Sequence, residues 1–233
     1  MDAMTRVQVW DLPTRLFHWL LAVAIPSAVA TGMIGGELIV WHGRLGLFIA
    51  GLLAFRLVWG LIGPANARFT GFVRGPRAIR SYLRGEWKGV GHNPLGALSV
   101  LAMLALIGIQ VGSGLFANDD IAFRGPLADA VGDDWSSRLT SLHALAQYAL
   151  IAAVVVHAAA IVYYVRVRRD NLLRPMVSGY KHVPESVAGA VRATRPARIA
   201  ATFVLAAAIA AGAVYVAAGG LIAPPPPAAA PAW

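Results

Sequence analysis

Residues 141–164 read SLHALAQYALIAAVVVHAAAIVYY, an apolar run broken by two histidines, His143 and His157. The run is long enough to cross the roughly 30 Å hydrocarbon core of a bilayer as a helix. A lipid-spanning segment must satisfy its own backbone hydrogen bonds, which favours the helix. Fourteen residues are nearly four helical turns, so both imidazoles leave the same face, within about 40° of each other and roughly 21 Å apart along the axis. Ionisable side chains inside a membrane are costly and mark function. One stretch therefore poses both the fold and the site.

Four more apolar stretches of comparable length lie at 13–33, 38–62, 95–116 and 199–222, and the quoted run extends over 139–165. The chain is 58% hydrophobic and 13% charged, a balance that excludes an ordinary soluble domain. The expected fold is an all-α integral membrane protein, a four-helix transmembrane bundle with a fifth C-terminal span. Its expected organisation is a core at 1–170, a basic linker at 171–198, the fifth helix at 199–222 and a Pro/Ala-rich tail at 223–233. Pro13 suits a first helical turn, and Asp11 just before it is a plausible cap. There is no cysteine, which excludes disulfides, iron–sulfur clusters and haem attached through C-x-x-C-H.

A formal charge of +9 could signal nucleic-acid binding, but the bases are confined to alternate loops, which is the pattern of membrane orientation. Residues 64–94 carry Arg68, Arg74, Arg77, Arg80, Arg84 and Lys88 against Glu86, and residues 166–198 carry eight bases against Asp170 and Glu185. The loop before residue 139 instead carries Asp119, Asp120, Asp129, Asp133 and Asp134 against Arg124 and Arg138. The expected topology has a cytoplasmic N-terminus, cytoplasmic basic loops, and an outer acidic loop and tail, in a bacterial inner membrane. Residues 16–30 imitate a cleavable leader, but a histidine and flanking tryptophans favour a retained span.

Of six histidines, His92 and His182 fall in basic loops and read as solvated surface. His18, His42, His143 and His157 fall inside spans. With alternating helix directions, His42 and His143 share an outer depth, and His18 and His157 share an inner one. A depth-matched pair facing across a bundle is the axial ligand set of a six-coordinate haem, and two levels make two haems. Interhelical hydrogen bonds or a metal-transport path are the competing readings, although the spans lack the carboxylates and thiols that such a path favours. Arg44 and Arg56 lie in the second span, at the outer and inner depths. They would pair with haem propionates, or else snorkel to the interface. Arg15, Trp19 and Tyr163 mark a conceivable quinone pocket.

The motifs VWDLPTRLFHW at 9–19, WHGRLG at 41–46, FRLVWGLIGP at 55–64 and the opening stretch, in that order, resemble the bacterial cytochrome b561 family. That family includes the b-type subunit of nickel–iron hydrogenases. The resemblance covers about residues 6–180. It implies a bundle holding two b haems on His18, His42, His143 and His157. It also implies electron exchange between the quinone pool and a redox partner: a periplasmic c-type cytochrome, a hydrogenase or another dehydrogenase. A stand-alone oxidase of a small species such as superoxide is the alternative, and the acidic outer loop disfavours steering an anion there. The fifth span and tail have no counterpart in the resemblance.

Overall fold

The computed structural model describes residues 3–87, 89–121, 123–188 and 196–221. Five helices are long and apolar enough to span a membrane. In chain order the helices are α1 (Leu12–Ile34), α2 (Ile39–Ile62), α3 (Phe69–Phe72), α4 (Pro76–Leu83), α5 (Pro94–Leu115), α6 (Asp133–Arg166), α7 (Leu173–Ser178), α8 (Glu185–Ala188) and α9 (Pro196–Ala217). The spans are α1, α2, α5, α6 and α9. The acidic loop between α5 and α6 marks one end of the bundle, and the basic segments after α2 and α6 mark the other.

Helix starts follow the capping chemistry. The Asp11 carboxylate accepts from Thr14 N at 2.8 Å, with Pro13 in the first turn. It also accepts from Trp59 Nε1 at 3.2 Å, tying the start of α1 to the end of α2. Asn93 caps α5 in the same way, accepting from Gly96 N at 2.7 Å, and Pro94 follows it. Between α1 and α2 the chain reverses through Gly35 and Gly36, with φ of 67° and 57°, a left-handed backbone that glycine adopts without steric cost.

α6 begins six residues before the expected span at 139. Its first turns are polar and stand outside the apolar run: Asp133 and Asp134 suit a helix N-terminus, and Ser136 Oγ donates to Phe116 O at 2.8 Å. α9 begins at Pro196 and ends at Ala217, short of the expected residue 222. The tail at 223–233 lies outside the described residues.

The core joins four spans. Ala24 and Ala28 of α1, Ile49 of α2, Ile107 of α5 and Leu150 of α6 form one buried cluster. Leu150 is midway between His143 and His157, so this apolar layer lies between the two histidine depths. α9 instead lies along the outside of α2. Phe203 meets Phe55 and Trp59 edge-on at 5.6 and 6.3 Å, Ala206 is fully buried, and Val214 packs over Gly51. The many exposed apolar side chains of the spans, such as Val23, Leu145 and Val156, suit lipid contact.

The stretch 171–198, expected as a linker, contains ordered elements in its described part. β2 (Tyr180–Pro184) pairs antiparallel with β1 (Met4–Gln8), joining Val7 and Val183 in a small apolar cluster. α7 closes over the start of α1. Trp19 Nε1 donates to Met176 O at 3.2 Å, and Arg15 Nη1 donates to Val177 O. Arg15 and Trp19, expected beside a quinone, are engaged in this closure. Tyr163 is half exposed, with its ring against Tyr164.

Candidate functional site

The four intramembrane histidines meet in two pairs. His42, near the start of α2, faces His143 of α6 with ring centroids 5.8 Å apart and planes at 87°. His18 of α1 faces His157 of α6 at 6.3 Å and 55°. The first pair lies toward the acidic end and the second toward the basic end. Metal–imidazole bonds of about 2 Å put the centroids of two trans imidazoles about 6 Å apart, which both pairs approach.

The outer imidazoles are fixed by backbone. His42 Nδ1–H donates to Ala28 O at 2.8 Å across the α1–α2 hairpin, and His143 Nδ1–H donates to Gln110 O at 2.8 Å across the α5–α6 hairpin. Each accepting carbonyl lies four residues before a glycine, and that glycine makes room for the ring. A Cβ on Gly32 would stand 2.7 Å from His42 Nδ1, and one on Gly114 would stand 2.8 Å from His143 Cε1. With the proton held on Nδ1, the lone pair of each ring lies on Nε2, the atom that would bind a metal. The Gln110 amide donates to His143 Nε2 at 3.1 Å. A cavity lined by His42, His143, Gly32, Gly46, Gln110 and Gln147, among others, opens between these helices.

The inner pair has no such support. His18 Nδ1 is buried and unpartnered, and His157 makes no hydrogen bond to a described residue. Nearer the basic end, Arg56 is 3% exposed, its guanidinium 4.7 Å over the Phe69 ring, with a buried and unpartnered Nη1. A buried guanidinium N–H without an acceptor fits a carboxylate brought by a ligand. Arg44 instead lies exposed at the acidic end, 4.9 Å over Trp41.

His92 is not the solvated loop residue that its basic surroundings suggest. Its ring lies 4.5 Å from both Trp10 and Phe72, and Nδ1 is buried without a partner. Burial, and after it the Arg56 guanidinium, push its pKa down from 6.5 to about 4. The folded loop brings Trp10 and Phe72 over it from elements distant in sequence. His182 is exposed on β2, as expected.

Sequence reasoning passed over Gly32, Gly114, Gln110 and Gln147. Gln110 had a signal, being a large polar side chain in an otherwise apolar span. The glycines had none, because their role depends on which helix lies opposite.

The donor set decides what the pairs suit. Among the described residues no group of three or more His, Cys, Asp or Glu could hold a bare metal ion. Each pair offers two imidazoles close across the bundle and leaves the remaining coordination positions to the ligand itself, as a haem does with its macrocycle. A family model described as prokaryotic cytochrome b561 matches residues 9–179, which contain both pairs and end before α9. The chain is similar to the probable Ni/Fe-hydrogenase B-type cytochrome subunit of Rhodobacter capsulatus, 25% identical over 217 residues, covering 76% of this chain and 82% of that protein. It is 28% identical over 221 residues to the protein of the same description from Azotobacter vinelandii, covering 76% and 89%. No solved structure matches significantly.

Proposed function

This chain belongs to the prokaryotic cytochrome b561 family, and from that premise we propose that it carries two b haems in series between a quinone at its basic end and a redox protein docked at its acidic end. Membership makes it a membrane b-type cytochrome of electron transport that holds haem b. The observation carrying the two-haem reading is the pair of opposed imidazole sets, 5.8 and 6.3 Å between centroids, at two depths of one bundle.

Bound haem supplies reversible one-electron chemistry at iron. The protein supplies ligands, orientation and insulation. His42 and His143 hold one group, with Nδ1–H fixed on the Ala28 and Gln110 carbonyls. His18 and His157 hold the other. Arg56, with its unpartnered Nη1, and Arg44, exposed at the acidic end, would pair with the carboxylates of bound haem. The layer of Ala24, Ala28, Ile49, Ile107 and Leu150 keeps water out of the space between the levels.

The charge pattern supports an inner-membrane orientation with the basic end cytoplasmic and the acidic end, with the tail at 223–233, periplasmic. The acidic end suits a partner with a basic docking face. The relatives' description as hydrogenase cytochrome subunits supports a hydrogenase as that partner, with a c-type cytochrome or another dehydrogenase as the other members of its class.

The test uses the purified full-length chain in liposomes. Quinol added to the membrane should reduce the b haems, and purification from native membranes in mild detergent should recover a periplasmic redox protein, such as a hydrogenase, bound to the chain. Haems that neither quinol nor such a partner reduces would overturn the reading.

A further inference from the structure

The segment after α6 builds a second concave surface, at the basic end of the bundle and lined by none of the four intramembrane histidines. The chain forms α7 and then returns as β2 against β1. Between these pieces lies a pocket of ≈ 420 Å³, lined among others by Arg6, Asp170, Arg174, Ser178, Lys181 and His182. Its wall carries three permanent cations, Arg6, Arg174 and Lys181, against one carboxylate, Asp170.

The charges do not cancel. Lys181 Nζ donates to both oxygens of Asp170, at 2.8 and 3.0 Å, so that pair is neutral as a unit. Arg6 and Arg174 remain. The Arg6 guanidinium lies 3.9 Å over the Tyr180 ring, a contact through its face that uses none of its N–H donors. Arg174 is exposed on α7, and neither arginine has a carboxylate partner among the described residues. Two guanidinium forks without acceptors in one cleft suit a phosphate.

Position selects the source of that phosphate. α7 is tied to the start of α1, where Arg15 Nη1 donates to Val177 O and Trp19 Nε1 to Met176 O. The start of a spanning helix is the rim of the bilayer, so α7 lies along that rim, beside a tryptophan of the kind that favours it. Leu173 and Val177, at i and i+4 on one face of α7, are 48% and 63% exposed. Arg174 and Ser178, each one residue further on, form the neighbouring stripe that lines the pocket. An apolar stripe beside a basic one is the pattern of a helix lying in a membrane surface.

We propose that this pocket binds the headgroup of an anionic phospholipid, its phosphate held by Arg6 and Arg174 and its acyl chains against Leu173 and Val177. The uncancelled positive charge selects a lipid of net negative charge over a zwitterion, whose own cation would sit among the same arginines. The bound lipid bridges β1 to α7, two pieces distant in sequence, and so fastens the closure over the start of α1. The proposal draws on membrane residence alone and stands whatever the number of haems.

The test titrates the purified full-length protein in neutral detergent with phosphatidylglycerol, followed by thermal unfolding and native mass spectrometry. Phosphatidylglycerol should raise the melting temperature, with one molecule retained per chain. Phosphatidylcholine of the same acyl chains, and inorganic phosphate, should do neither. A base near a membrane surface contributes about fivefold to such binding, so Arg174→Gln should weaken it about fivefold and Arg6→Gln with Arg174→Gln about thirtyfold. Arg174→Lys, which keeps the charge, should retain most of the affinity. Arg174→Gln should melt like the unaltered chain when lipid is absent, because the side chain has no described partner to lose. Arg74→Gln with Arg77→Gln removes as much charge from the other basic segment and should leave binding unchanged. Equal stabilisation by phosphatidylcholine would mark general solvation by lipid, stabilisation by inorganic phosphate would mark a site for soluble anions, and an equal loss in the Arg74 and Arg77 variant would mark bulk charge. Each of these overturns the proposal.

Discussion

The outer and inner histidine pairs use the same residue type at similar separations, yet they are built differently. The outer pair is held by backbone: two helical hairpins each turn an imidazole onto a carbonyl four residues before a glycine that makes room for the ring. The inner pair is held by packing, with an unpartnered nitrogen on His18. The lesson is that spacing along α6 places the histidines in depth, whereas the carbonyl that fixes each outer ring comes from the other helix of its hairpin. A single helix thus serves two sites of different character.

The largest expected effect is on the histidines themselves. His143→Ala should abolish the outer haem signal and spare the inner one, and adding His42→Ala should remove nothing more. His157→Ala should do the converse. Absorption spectra of the reduced proteins check this, and loss of both signals from one outer substitution would erase the distinction between levels.

Next comes packing. A Cβ on Gly114 would stand 2.8 Å from His143, and overpacking of this kind costs about 1–3 kcal/mol. Gly112 has open space around a Cβ, so Gly112→Ala should leave thermal stability in detergent nearly unchanged while Gly114→Ala lowers it. Equal melting temperatures would show that the outer hairpin contact is not tight.

His92, beside Arg56 at the basic end, stays neutral in the fold because its pKa falls from 6.5 to about 4. Below pH 6.5 the unfolded chain takes up this proton and the folded chain does not, so its contribution is complete above pH 6.5 and declines as pH falls toward about 4. Thermal stability in detergent should therefore fall as pH drops below 6.5, and His92→Phe should flatten that fall. Unchanged acid sensitivity in that variant would remove His92 from the account.

The smallest effects belong to exposed charge. Arg44 over Trp41 is an exposed cation–π contact worth about 0.5–1 kcal/mol. Arg44→Ala should lower stability slightly, and Arg56→Ala, which empties a buried position, should lower it more. Thermal unfolding of the two variants under the same conditions ranks them.

Much of this was legible in the sequence. Hydropathy placed five spans to within a few residues, because lipid imposes its length on any helix that crosses it. The exception was the start of α6, where Asp133 to Arg138 continue the helix in polar residues that hydropathy cannot assign to it. The family was legible from motif order, and the depth pairing of the four histidines followed from helix direction. Other features were not legible. Gly32 and Gly114 matter through contacts between helices, and one glycine in an apolar span looks like another. His92 reads as surface because its neighbours in sequence are polar, while its neighbours in space, Trp10 and Phe72, arrive from separate elements. The pairing of β1 with β2 is equally non-local, joining residues near opposite ends of the chain.

The central claim is one haem at each of two histidine levels, and haem per chain measures it most directly. The account predicts two b haems in the purified protein, and none in the variant with His18, His42, His143 and His157 all replaced by alanine. A folded quadruple variant that retains its haem, or an unaltered protein that binds only one, would contradict it.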